Sequence, residues 1–334
     1  MESISIDNLT TLGSAEATDA VISEVRKGLM SKRKALAPWL FYDDAGSALF
    51  EEITTLPEYY VSRLERKILR DNVRSILGQV ITRRNAPVRI IELGAGSAEK
   101  TRILLSEAQV LSPELTYVPI DISLAALEGA QKSLELDLPG VRVEPIVSDY
   151  VTTPIKLDRF SGITMALYIG SSIGNFEPFD ARIILRNLRS QLHSADTLLL
   201  GTDLVKPEHI LIPAYDDAQG VTAEFNRNVL RRLNVELQAD FLLEAFAHRA
   251  VWNAKLARIE MHLESLQRQR VSVPLADLYL NFEAGETIHT ENSYKYTSSS
   301  VRALLEDTGF SVRNQWKDEA GWYAVTLAAP GRSD

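Results

Sequence analysis

The chain has 334 residues, 45% of them apolar and 24% charged, enough for one large α/β domain or two modest ones with ample core. Its 45 acidic residues outnumber 36 basic ones, for a formal charge of −9, which disfavours a nucleic-acid backbone as partner. The absence of cysteine removes disulfides, zinc–thiolate sites and thiol nucleophiles.

The N-terminal MESISIDNLTTLGS is polar and acidic, without the basic and apolar regions of a signal peptide. No apolar run approaches a membrane span. The five histidines (His193, His209, His248, His262 and His289) include no i,i+4 pair and no H-E-x-x-H motif, so no metal is expected. A cytoplasmic protein is the expectation.

The first sixty residues show no strand–helix rhythm. From residue 88 the rhythm is clear. VRIIELGAG (88–96) reads as a buried strand ending in a glycine turn, and a helix is expected over 97–111. TYVPIDIS (116–123) is a second strand, followed by a helix over 124–137. VRVEPIVSDY (141–150) is a third, and GITMALYIGSSIGN (162–175) begins as a fourth. A helix at 181–192 and a strand at 196–205 complete the series. Strands apolar on both faces, alternating with helices, indicate a parallel sheet covered on both sides. Between Val205 and Glu291 the rhythm breaks into a helical stretch (217–237) and alternating, antiparallel-type strands (257–273 and 276–286). A capped helix ending near Gly309 follows, then two strands joined at DEAG (318–321), a closing antiparallel hairpin. The expected class is therefore α/β: a Rossmann-like sheet with a C-terminal antiparallel hairpin, plus a smaller discontinuous α+β domain. The expected division is 64–204 with 291–334 for the first, and 1–63 with 205–290 for the second.

IIELGAGSAEKT carries the most chemistry. Gly94 and Gly96 let the backbone turn sharply and approach a ligand. A nicotinamide-binding turn wants G-x-G-x-x-G/A. Here that third position is Glu99, awkward beside a pyrophosphate but acceptable beside a ligand without phosphate, such as S-adenosylmethionine (AdoMet). Asp121 ends the second strand, where a carboxylate can accept both ribose hydroxyls. Asp149 ends the third, positioned to take an adenine amino group while Tyr150 lies against the ring. Each Asp alone would equally serve as a helix cap. Asn175 closes the fourth strand's loop.

In IHTENSYKYTSSS (288–300), Glu291 and Ser293 fall on one side of an extended segment. They are either a solvated strand end with a helix cap, or an acceptor pair for a small polar ligand.

Longer motifs narrow the choice. FYDDAGSALFEEITTLPEYYVSRLE, ELGAGSAEKTRILL, GSSIGN, LLLGTDLVK, AYDDAQGVTAEFNRNVL and RIEMHL resemble the histidine-specific, AdoMet-dependent methyltransferases that convert L-histidine to its Nα-trimethyl form, hercynine, at the start of ergothioneine biosynthesis. The resemblance runs from about residue 20 to the C-terminus. It implies that Gly94, Gly96, Lys100, Asp121, Asp149 and Tyr150 contact AdoMet. It implies that Tyr59, Asn175, Tyr215, Met261, Glu291 and Ser293 hold the amino acid. Tyr42 lines the same pocket, and we expect Asn175 and Tyr42 to orient the reacting amine while Tyr215 holds the carboxylate. Position 150 is Tyr where some relatives carry Phe, which preserves the aromatic face.

An imidazole has two nitrogens with distinct hydrogen-bonding needs, which a carboxylate and a hydroxyl on one side can meet. An indole offers one N–H and would leave much of a buried carboxylate's capacity unmet. The pair thus favours histidine, with its mono- and dimethyl forms as further substrates, over tryptophan. A non-catalytic AdoMet- or amino-acid-binding module is the rival of another class. A monomer needing no metal is expected.

Overall fold

The computed structural model describes residues 14–82, 86–150 and 154–331; all but the last residue of the N-terminal stretch read above lies outside them. The chain divides into two compact units. One comprises Val61–Val205 and the chain from Lys295, the other the described chain up to Tyr60 together with Lys206–Tyr294. The later boundary falls at Lys295 rather than Glu291, because one strand runs unbroken through Tyr294.

In chain order the helices are α1 (Ser14–Leu29), α2 (Asp44–Thr55), α3 (Tyr60–Val80), α4 (Arg102–Leu111), α5 (Leu124–Asp137), α6 (Pro178–Gln191), α7 (Val221–Glu236) and α8 (Ser298–Asp307). The strands are β1 (Val88–Leu93), β2 (Leu115–Asp121), β3 (Val141–Val143), β4 (Ile146–Val147), β5 (Ile163–Tyr168), β6 (Thr197–Asp203), β7 (Phe246–Asn253), β8 (Arg258–Ser265), β9 (Gln269–Val273), β10 (Leu278–Phe282), β11 (Thr287–Tyr294), β12 (Phe310–Lys317) and β13 (Tyr323–Pro330). None of the described helices is long and apolar enough to cross a membrane.

The first unit is built on an eight-stranded sheet in the order β12-β13-β6-β5-β1-β2-β3, with β4 also pairing β2. The strands from β1 to β6 pair in parallel, and β13 and β12 close the sheet antiparallel. Every residue of β1, β5 and β6 is buried, as expected where helices cover both faces. Helix α6 turns Ala181, Ile184, Leu185 and Leu188 inward, the 3–4 spacing of a helix lying on a sheet. The closing turn is fixed by Asp318, whose carboxylate accepts from the amides of Ala320, Trp322 and Tyr323, with Gly321 at φ 68°.

Two elements depart from the sequence expectation. The third strand breaks into β3 and β4 around Pro145, which has no amide proton for the ladder. The helix expected from residue 97 begins only at Arg102, because Gly96 (φ 50°) and Ala98 (φ 56°) adopt left-handed backbone that no right-handed helix accommodates. The loop after β1 is accordingly wider than a tight strand–helix turn.

The second unit holds a three-stranded antiparallel sheet, β11-β8-β7, and the hairpin β9–β10. Residue Ala35 bridges in parallel to His289, extending the sheet past β11. Strand β7 was not foreseen from the sequence. Helix α7 packs against α2 and the sheet, burying Val221, Phe225, Val229 and Leu233 together with the polar Asn226 and Asn228. Asp217 starts this helix by accepting from the amides of Val221 (3.0 Å) and Thr222 (2.7 Å). Burial alone would raise the Asp217 carboxyl, but these amide bonds hold it below the usual carboxylate range.

Candidate active site

In the first unit, the residues singled out from the sequence gather at the carboxyl ends of the parallel strands, where open α/β sheets bind ligands. Gly94 and Gly96 form the loop after β1. At Gly94 (φ 67°) a Cβ would strain the backbone and lie 3.0 Å from the Tyr150 hydroxyl. Asp121 braces this loop: one carboxylate oxygen accepts from the Gly96 amide at 3.0 Å, the other from the Ser123 amide at 2.9 Å. The Asp149–Tyr150 pair follows β4, and the Tyr150 ring meets Tyr168 edge-on at 6.0 Å. Asn175 ends a single 3₁₀ turn (Ser172–Asn175) beyond β5, where Gly170 and Ser171 are both left-handed, and its side chain is half-buried.

Lys100 is more elaborately held than a surface lysine. Its ammonium donates to Glu65 at 2.7 Å. Glu65 lies on α3 with no exposed surface, and it also accepts from the Gly170 amide (2.9 Å) and the Tyr323 hydroxyl (2.6 Å). Gly201 makes room for it, since a Cβ there would sit 2.0 Å from the carboxylate. Beneath the same loop, Glu92 is buried and accepts from Thr101 at 2.6 Å and from Tyr117. Burial pushes its carboxyl up to about 7, with the two hydrogen bonds opposing the rise.

In the second unit, Tyr42, Tyr59 and Tyr215 are linked through aromatic edges. Tyr42 meets Phe50 at 5.8 Å, Phe50 meets Tyr59 at 6.3 Å, and Tyr59 meets Tyr215 at 6.3 Å. Phe225 packs under this wall. The Tyr215 hydroxyl lies 2.8 Å from Ser293 Oγ. Ser293 and Glu291 share the inward face of β11, 5% and 8% exposed, whereas Asn292 between them is only half-buried and faces the other way. On β8, Met261 pairs directly with Glu291.

That inward aim depends on a β-bulge between His289 and Glu291. Strict alternation from buried Ile288 would turn Thr290 and Asn292 inward. The extra residue resets the alternation, so Thr290 and Glu291 are both buried and Ser293 follows. His289 Nε2 secures the outer side, donating to the Glu291 carbonyl (3.0 Å) and Asn292 Oδ1 (2.9 Å).

Sequence reading did not single out Glu65, Glu92, Phe50, Phe225, Asn226, His248 or Thr290. Phe50 and Phe225 stand inside the quoted motifs, so their aromatic character was an available signal. No group of three His, Asp or Glu side chains among the described residues is arranged to hold a metal ion.

Comparison with known proteins decides the family. Residues 21–330 match the model of the histidine-specific, SAM-dependent methyltransferases. The chain belongs to this family. It is 40% identical over 317 residues to the histidine N-alpha-methyltransferase of Mycolicibacterium smegmatis, spanning 95% of this chain and 97% of that one. It is 41% identical over 310 residues to the histidine N-alpha-methyltransferase of Mycobacterium tuberculosis, spanning 93% and 95%. Ergothioneine biosynthesis protein 1 of Schizosaccharomyces pombe is 29% identical over 88% of this chain, which corresponds to 39% of that longer protein. SAM dependence comes with membership, and the parallel sheet with its closing hairpin is the matching α/β architecture.

Proposed function

We propose that this histidine-family methyltransferase moves methyl groups from AdoMet to the α-amine of L-histidine, three times over, yielding hercynine as the first step of ergothioneine biosynthesis. The observation that carries the substrate is the Glu291–Ser293 pair on the inward face of β11, with Ser293 hydrogen-bonded to Tyr215. A carboxylate and a hydroxyl two residues apart on one strand face match the two nitrogens of an imidazole.

The donor side has a fitting chemistry. Gly94 and Gly96 open the backbone for close approach, and Asp121 offers a carboxylate to ribose hydroxyls. Lys100 suits the carboxylate, the only anionic group of AdoMet. Asp149 and Tyr150 serve the adenine. Bound AdoMet supplies a sulfonium-activated methyl, and transfer joins it to the amine nitrogen as the C–S bond breaks, leaving S-adenosylhomocysteine.

The protein's contribution is positioning. Glu291 accepts one imidazole N–H. With Ser293 donating to Tyr215, the Ser293 oxygen accepts the ring's other N–H, so the site takes the imidazolium form against the Glu291 carboxylate, and the Tyr215 hydroxyl donates to the substrate carboxylate. Tyr59 and Met261 complete the side-chain pocket. Asn175 and Tyr42 orient the amine, which must be neutral to attack although a free α-amine is largely protonated near neutral pH. The working form is a cytoplasmic monomer that uses no metal and engages neither nucleic acid nor membrane.

The test is calorimetric titration of histidine and of tryptophan into enzyme saturated with S-adenosylhomocysteine. Histidine should bind and tryptophan should not. Glu291→Ala should weaken histidine by about 2 kcal/mol, the scale of a lost hydrogen bond to a charged group. Equal binding of both amino acids, or an unaffected Glu291→Ala enzyme, would remove the imidazole from this site.

A further inference from the structure

The roles above leave unused a buried polar network in the second unit. Asn226, on the inner face of α7, has no exposed surface. Its Nδ2 donates to the His262 carbonyl at 3.0 Å and lies 2.8 Å from His248 Nδ1. Its Oδ1 accepts from the Thr290 hydroxyl at 2.8 Å, which also lies 3.1 Å from the Met261 carbonyl. The other imidazole nitrogen, His248 Nε2, is 2.7 Å from the Tyr215 carbonyl.

Hydrogen-bond polarity leaves one arrangement. A carbonyl can only accept, so His248 Nε2 carries the proton. The neutral ring then presents Nδ1 as an acceptor, and the Asn226 amide must face it with nitrogen. Flipping Asn226 would aim its oxygen at the Nδ1 lone pair and at the His262 carbonyl, two repulsive contacts. The oxygen is thereby committed to Thr290, which is the residue inserted at the bulge.

We propose that Asn226 and His248 are positioning residues for amino-acid recognition: Asn226 pins the Thr290 bulge that turns Glu291 and Ser293 inward, and His248 fixes the backbone of Tyr215 against them. One network thus sets the spacing between the groups assigned to the imidazole and the group assigned to the carboxylate. This inference rests on the histidine reading of Glu291, Ser293 and Tyr215.

The bond pinning the bulge comes from a hydroxyl, which permits a test whose outcomes have opposite signs. Thr290→Val keeps the shape and removes the hydroxyl; Thr290→Ser keeps the hydroxyl and removes the methyl. Histidine and S-adenosylhomocysteine affinities would be measured by calorimetry on each full-length variant, with steady-state kcat and KM. Thr290→Val should weaken histidine about tenfold, the scale of one hydrogen bond lost with its partner left buried, and Thr290→Ser should bind it like the wild type. S-adenosylhomocysteine affinity should stay at the wild-type value in both. Should Thr290→Val fail to fold, His248→Gln, which keeps the donor to Tyr215 and loses the acceptor for Asn226, should show the same loss.

A packing role alone predicts the reverse order, with Val harmless and Ser worse, and would overturn the proposal. So would parallel weakening of both ligands, which reports general destabilisation. Absence of histidine binding by the wild type is a separate outcome: it removes the substrate reading, and this inference falls with it.

Discussion

Replacing Glu65 with glutamine probes how the lysine of the glycine loop is held. The wild-type carboxylate, fully buried, takes Lys100 at 2.7 Å, the Gly170 amide at 2.9 Å and the Tyr323 hydroxyl at 2.6 Å. Glutamine fits the same space but carries one oxygen and no charge. The less costly orientation keeps the oxygen toward Lys100 and lets the Tyr323 hydroxyl rotate to accept from the amide. What is lost is the charge assistance to Lys100, worth about 1.5–3 kcal/mol in a buried setting. Lys100 retains 22% exposure and can rehydrate, so the lower end, about 1.5–2 kcal/mol, applies. At about 2.1 cal/mol/K of unfolding entropy per residue, a 334-residue chain shifts by about 1.4 °C per kcal/mol, so the melting temperature should fall by roughly 2–3 °C. Saturating AdoMet should then raise the melting temperature of the variant more than that of the wild type, because the carboxylate of AdoMet replaces the missing charge beside Lys100. Methylthioadenosine, which has no carboxylate, should raise both equally. Thermal melts with each ligand decide the matter. An unchanged melting temperature, or equal gains with both ligands, would refute the pairing of Lys100 with Glu65 and with AdoMet.

Two further outcomes follow from the site. Asn175→Ala should lower kcat by about tenfold or more while leaving AdoMet affinity intact; weakened AdoMet binding would instead move Asn175 to the donor. Burial holds His248, His262 and His289 below the ordinary histidine value of 6.5. Their neutral forms are favoured in the fold, so this stability is complete above pH 6.5 and is lost as pH falls through the folded values. Glu92 acts oppositely, its contribution fading as pH rises from 4.5 through about 7. In Glu92→Gln, where the opposing carboxyl is gone, urea midpoints should fall between pH 7 and 5 as the three histidines protonate. A flat or rising trend would contradict the buried, neutral assignment.

The parallel strands were legible because burial on both faces writes largely apolar runs such as ITMALY and TLLLG. The closing hairpin was legible because Asp318 and Gly321 are strong turn residues. Local chemistry misled where backbone strain decided: nothing in SAEKT announces that Ala98 is left-handed and delays α4 to Arg102. The bulge was invisible for a related reason, since strand alternation counts residues and cannot show where one is inserted. Glu65 could not be singled out because its partners lie 35, 105 and 258 residues away. Asn226 read as an ordinary helix residue and His248 lay in a stretch with no element assigned until the fold sets them face to face. The quoted motifs were sufficient for the family because they are long and ordered, whereas the supporting residues act only through tertiary contacts.

The central claim is that this chain methylates the α-amine of histidine. The most direct measurement is mass spectrometry of products after incubation with AdoMet and each of the twenty amino acids supplied separately. The expected products are mono-, di- and trimethylated histidine, with the trimethyl form accumulating, and no methylation of the others. Methylation of tryptophan or another amino acid in place of histidine would leave the fold and the methyl donor standing, and would contradict the assignment of Glu291 and Ser293 to an imidazole.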